Sequence, residues 1–65
     1  MDIAKKIKII LATEDLNISD LAIKLNTSPQ NVGSKLKRNN FSIKEMLEIA
    51  NVLGYDLSIE FTKRD

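Results

Sequence analysis

Near the start of the chain, Ile3, Ile7, Ile10 and Leu11 recur at spacings of three and four residues, with Lys5, Lys6 and Lys8 between them. That period predicts an amphipathic helix from Ile3 to between Ala12 and Glu14. Asp2 suits the positive end of its dipole. Leu21, Ala22 and Leu25 form a second apolar stripe. Asn17 can cap it, with Asp20 as a capping-box partner. Asn26 follows the last apolar position and tolerates the left-handed conformation that ends helices. Ser28-Pro29 then reads as a new helix start. Ser supplies the cap, and Pro takes the first helical position, where a missing N–H costs nothing. Val32 and Leu36 mark the buried side of this third helix, which runs to about Arg38. Lys37 and Arg38 suit its negative end. Ser42-Ile43-Lys44-Glu45 is a full capping box, flanked by Phe41 and Met46 as a hydrophobic staple. Ile43, Met46, Leu47, Ala50 and Leu53 are expected to form the core face of a fourth helix that stops at Gly54.

After Gly54 the period changes. Leu57, Ile59 and Phe61 alternate with Asp56, Ser58, Glu60 and Thr62, the mark of a half-buried strand over residues 55–62. No second strand pattern exists in the chain to pair with it, and a lone strand leaves a row of unpaired backbone groups. The same strand of a second copy, antiparallel about a two-fold axis, would satisfy them. Leu57, Ile59 and Phe61 are therefore the expected dimer interface. The alternative is an extended tail whose apolar side chains fold back over the helices. The fold class that follows is mainly α: a bundle of four to five helices with a short C-terminal β-strand paired across a dimer.

Composition narrows the chemistry. The 65 residues are expected to form a single domain, 1–65, too small for a large core. The absence of cysteine and histidine removes thiol nucleophiles, imidazole bases and the usual transition-metal ligands. The carboxylates are scattered over separate elements, so neither an enzyme nor any cofactor or metal is expected. The longest apolar run, Ile9 to Ala12, is far short of a membrane span, and no export signal is visible. A cytoplasmic protein is the expectation, with no membrane association and no small-molecule ligand.

Net charge is only +1, but its distribution is uneven. No acid occurs from Leu21 through Lys44, while Lys24, Lys35, Lys37, Arg38 and Lys44 all fall there. A one-sided basic segment can steer toward a polyanion despite a weak net charge. A solvated helix face, balanced in space by acids from elsewhere, would give the same sequence pattern.

The segment Asn17 to Asn40 combines these features. Two short helices are joined by the turn Asn26-Thr27-Ser28, Ala22 permits their close approach, and Val32 and Leu36 anchor the second. That is the arrangement of a helix-turn-helix, whose second helix enters the DNA major groove. At about 100° per residue, Val32 and Leu36 set the core direction of the third helix. Gln30, Ser34, Lys37 and Arg38 then face the opposite way, with Asn31 and Gly33 on the flanks. This outward face is polar and has no acid. Gln can pair bidentately with adenine and Ser with either base type, while Lys and Arg suit phosphates. Gly33 weakens the helix, and its missing side chain would let the helix approach a DNA backbone closely. A tight helix–helix contact would be the structural alternative.

Helix count, order and spacing, with Leu21-Ala22, Leu25-Asn26, Ser28-Pro29-Gln30-Asn31-Val32 and Leu53-Gly54, resemble the phage repressor-like helix-turn-helix family of the Cro/CI or XRE type. The resemblance covers Ile3 to about Leu57. It implies a compact helical domain that binds operator DNA as a homodimer and represses transcription. The family's base-reading positions correspond here to Ser28, Pro29, Gln30 and Ser34, and Asn31 is grouped with them. Lys24, Lys35, Lys37, Arg38, Asn39, Asn40 and Lys44 are the expected phosphate contacts. The sequence departs from the family at Ile18, where a phosphate-anchoring Gln is common, and at Asn26, where Gly is usual. Pro29 also lacks the side-chain donor of many relatives. The expected function is sequence-specific double-stranded DNA binding by a homodimeric regulator, a repressor acting by promoter occlusion. The competing function is a protein-interaction module, adaptor or antitoxin-like, that keeps the helix-turn-helix as a scaffold.

Overall fold

A computed structural model describes residues 2–64 of the chain; Met1 and Asp65, the ends of the expected domain 1–65, lie outside the described residues. Four helices follow one another: α1 (Ile3–Thr13), α2 (Ile18–Lys24), α3 (Pro29–Arg38) and α4 (Ile43–Leu53).

Each helix begins where a side chain can satisfy its free N–H groups. Asp2 accepts from the backbone N–H of Lys5 at 2.9 Å. Asn17 and Asp20 exchange bonds of 2.8 and 2.9 Å in a complete capping box. Ser28 accepts from the Asn31 N–H at 3.1 Å, directly before Pro29. Ser42 and Glu45 close a second capping box at 2.9 and 3.1 Å.

The helix ends are equally local. Asn26, at φ 57°, ends α2. There the Thr27 N–H reaches the Ala22 carbonyl at 2.9 Å and the Asn26 N–H reaches that of Ile23 at 3.1 Å. This is the paired-bond Schellman ending. Asp15, at φ 57°, ends α1 in the same way, an ending that carries no glycine or asparagine to announce it. Asn39 closes α3 at φ 53°, and Gly54 closes α4 at φ 76°.

The core is formed by Ala4, Ile7 and Leu11 of α1, Leu21 and Ala22 of α2, Val32 and Leu36 of α3, and Ile49 and Leu53 of α4. Helix α2 packs on both α3 and α4, and α1 packs on α3. Leu21 and Ala22 sit at the centre with no exposed surface, so the small Ala22 side chain lies where the helices converge.

Two expectations are corrected. The core face of α4 is not centred on Ile43 and Leu47, which are 58% and 51% exposed; the residues buried there are Ile49 and Leu53. The apolar positions of α4 cover more than half its circumference, so the inward side is chosen by docking against α2. The second correction concerns the C-terminal segment. Residues 55–64 form no strand in the single chain: a strand needs a ladder, and the other elements among the described residues are all helices. Leu57 is half-buried in a small groove of about 140 Å³, lined also by Ile3, Ile10, Met46 and Ala50. Ile59 is 48% exposed and Phe61 98% exposed. The tail therefore folds back through Leu57 only.

Tyr55 sits at the surface. Its hydroxyl donates to the Glu14 carboxylate at 3.0 Å, tying the end of α4 to the end of α1. That bond to an anion holds the phenol proton and raises the Tyr55 pKa above its ordinary 10.

Candidate nucleic-acid interface

Helices α2 and α3, joined through residues 25–28, have the order and spacing of a helix-turn-helix. Val32 and Leu36 bind α3 to the core, which leaves its opposite side to solvent. Gln30, Ser34, Lys37 and Arg38 are all exposed. Among the described residues, none of these four side chains has a hydrogen-bonding or ionic partner. The outward face inferred from helical periodicity is thus present as a polar surface with unengaged donors.

The N-terminal turn of α3 is more committed. Ser28 is half-buried and spends its hydroxyl oxygen on the helix cap. The Asn31 side-chain amide donates to the Thr27 hydroxyl at 3.0 Å, which fixes its orientation and leaves its carbonyl available. Pro29 is exposed and offers only apolar surface.

Gly33 lies within α3, and a Cβ placed there would meet nothing within 4 Å. A close helix–helix contact does not explain this glycine.

The expected phosphate contacts divide. Lys24 ends α2, Lys44 lies in the first turn of α4, and Asn40 lies in the connection before it; all three are exposed. Lys35 and Asn39 are already engaged. The Asn39 side-chain carbonyl accepts from the Ala4 N–H at 2.8 Å, fastening the end of α3 to the start of α1. Its amide group remains free to donate. The Lys35 ammonium lies 2.7 Å from a Glu45 carboxylate oxygen. That ion pair, aided by the Ser42 N–H, pulls the Glu45 pKa from 4.5 to about 2.

The acid-free run of sequence is therefore not acid-free in space. A groove of about 420 Å³ runs along the flank of α3. Ser34, Lys35 and Arg38 line one side of it, and Glu45 and Glu48 of α4 line the other. Nothing in the sequence singled out Glu45 beyond its capping box. The pairing joins residues of different helices, and only their packing angle creates it.

No family model matches the chain. No solved structure matches it. Over 55 residues, 85% of its length, the chain is 42% identical to the Repressor protein CI of Enterobacteria phage phi80. It spans 23% of that protein's length. Among the described residues, no helix is long and apolar enough to cross a membrane.

Proposed function

We infer, on the premise that this chain is a phage repressor-like helix-turn-helix domain, as its likeness to a phage CI repressor supports, that it is a sequence-specific binder of double-stranded DNA. It acts as a cytoplasmic homodimer and represses transcription by occupying a promoter. The observation that carries this reading is the outward face of α3, where Gln30, Ser34, Lys37 and Arg38 are exposed and unpartnered within the described residues.

In this reading α3 enters the major groove. Gln30 and Ser34 read base edges, with Ser28, Pro29 and Asn31 beside them at the helix start. Lys24, Lys37, Arg38, Asn40, Lys44 and the Asn39 amide meet phosphates, which set register without reading sequence. The segment 55–62 pairs with its copy, with Ile59 and Phe61 meeting the partner and Leu57 holding the start of the segment on its own helices. Support comes from the exposure of Ile59 and Phe61 in the single chain and from their alternation with polar residues. Two recognition helices on one two-fold axis would then meet successive major grooves about 34 Å apart, which calls for a near-palindromic site.

The test is selection from a random duplex pool at low salt, with the retained molecules sequenced. Enrichment of a near-palindrome is the expected result. Retention without enrichment would mean a non-specific binder. No retention would turn the search to protein partners of the same scaffold. Within the enriched site, Gln30→Ala should cost about 1–3 kcal/mol and relax preference at one base pair. Ile59→Asp should abolish the dimer in sedimentation while leaving helical content intact; a variant that stays dimeric places the interface elsewhere.

A further inference from the structure

Lys35 lies on the flank of α3 that borders the inferred DNA face, beside Ser34 and Arg38 on the groove toward α4, while Lys37, two residues along, points to the other side of the helix. The Lys35 ammonium is turned to α4, 2.7 Å from Glu45 Oε2. Glu45 is not a mobile surface acid. Its other oxygen, Oε1, accepts from the Ser42 N–H at 2.9 Å, and its own N–H donates to Ser42 Oγ at 3.1 Å. The capping box therefore holds one carboxylate oxygen and aims the second at Lys35. Both side chains are partly shielded, at 43% and 33% exposure. An isolated surface ion pair of this kind adds little to stability, so its main consequence is electrostatic. It cancels one positive charge at the edge of a face whose other charged side chains, Lys37 and Arg38, are cations.

We propose that Glu45 limits the DNA affinity of this domain by holding Lys35 away from the phosphate backbone. The inference rests on the DNA-binding reading above and deepens it. The capping carboxylate doubles as an internal stand-in for phosphate, and the affinity of the α3 face is set below what its lysines would otherwise provide.

Glutamine can replace glutamate in a capping box, because its carbonyl still accepts the cap N–H. Glu45→Gln thus removes the charge and keeps the helix start. The experiment measures binding to a labelled duplex as a function of potassium chloride for wild type, Glu45→Gln, Lys35→Gln and the double variant. Freed Lys35 should add one phosphate contact per protomer, steepening the log–log salt slope by about 0.9 per protomer and about 1.8 for a bound dimer. If that contact contributes nothing at 1 M salt, affinity at about 0.1 M rises about eightfold per protomer. The gain should vanish when Lys35 is also Gln. In the wild-type background, Lys35→Gln should leave the slope unchanged, whereas Lys37→Gln should lower it by about 0.9 per protomer.

Each other outcome overturns the proposal. A gain that persists without Lys35 means Glu45 repels DNA directly. A slope that falls by about 0.9 per protomer in Lys35→Gln means Lys35 already contacts phosphate, and this test needs no variant of Glu45 to fold. Wild type that binds while Glu45→Gln binds identically defeats this inference alone. Wild type that retains no duplex at low salt defeats the DNA-binding reading and this inference with it.

Discussion

Replacing Gly33 by alanine separates what stabilises this domain from what it does. Gly33 lies inside α3 and is not among the residues with positive φ, and a methyl group in place of its hydrogen would have no neighbour within 4 Å. The substitution therefore adds no clash and no backbone strain. What remains is helix propensity, which favours alanine by about 0.8–1.0 kcal/mol. Part of that gain comes from a less flexible unfolded chain. For a domain of this size, 1 kcal/mol corresponds to about 4–8 °C in melting temperature. Thermal and urea unfolding of Gly33→Ala, followed by circular dichroism, should show a rise in that range with an unchanged urea slope. A melting temperature that stays level or falls would refute the reasoning, because it would mean Gly33 is not in open helical surroundings. DNA affinity provides the second reading. If α3 seats with its Gly33 flank against the sugar–phosphate backbone, the same variant binds more weakly while being more stable. Opposite signs in the two assays cannot come from misfolding. Equal or tighter binding would remove close approach as the reason for this glycine.

Three further outcomes follow from the packing and the polar ties. Asn39→Gly keeps the left-handed ending of α3 but loses the bond to Ala4, and should cost about 0.5–1.5 kcal/mol in urea unfolding; Asn39→Ala should cost about 1–2 kcal/mol more, because alanine resists that backbone conformation. Leu21→Ala, at a fully enclosed site, should cost about 2–5 kcal/mol. A domain of this length is stable by roughly 3–10 kcal/mol, so the variant should melt far earlier or be unfolded at room temperature. The Lys35–Glu45 pair should weaken with acid. The folded Glu45 pKa is depressed to about 2 from 4.5, so its contribution is complete above about 4.5 and is lost as pH falls through about 2. Because a surface pair adds little to stability, wild type should lose only slightly more melting temperature over that window than Glu45→Gln, and a large difference between the two profiles would argue against this reading.

The turns and helix limits of this protein are largely written in the chain, because they depend on contacts within a few residues. Asn17, Ser28-Pro29, Ser42 with Glu45, Asn26 and Gly54 each act on their own segment of backbone, and each does in the fold what its local chemistry requires. The outward face of α3 is legible for the same reason: Val32 and Leu36 define one narrow apolar side, and the opposite side follows from helix geometry. Helix α4 differs. Its apolar residues cover too much of its surface to name one inward direction, and packing against α2 chose Ile49 and Leu53 over Ile43 and Leu47. The polar ties between elements were hidden as well. Asn39 to Ala4, Tyr55 to Glu14 and Lys35 to Glu45 join residues of different elements, and no local rule brings them together. The charge pattern shows the difference most plainly. Along the chain, the segment from Leu21 to Lys44 carries no acid. In the folded domain Glu45 stands against its flank, because helix packing sets the distance between charges and sequence separation does not.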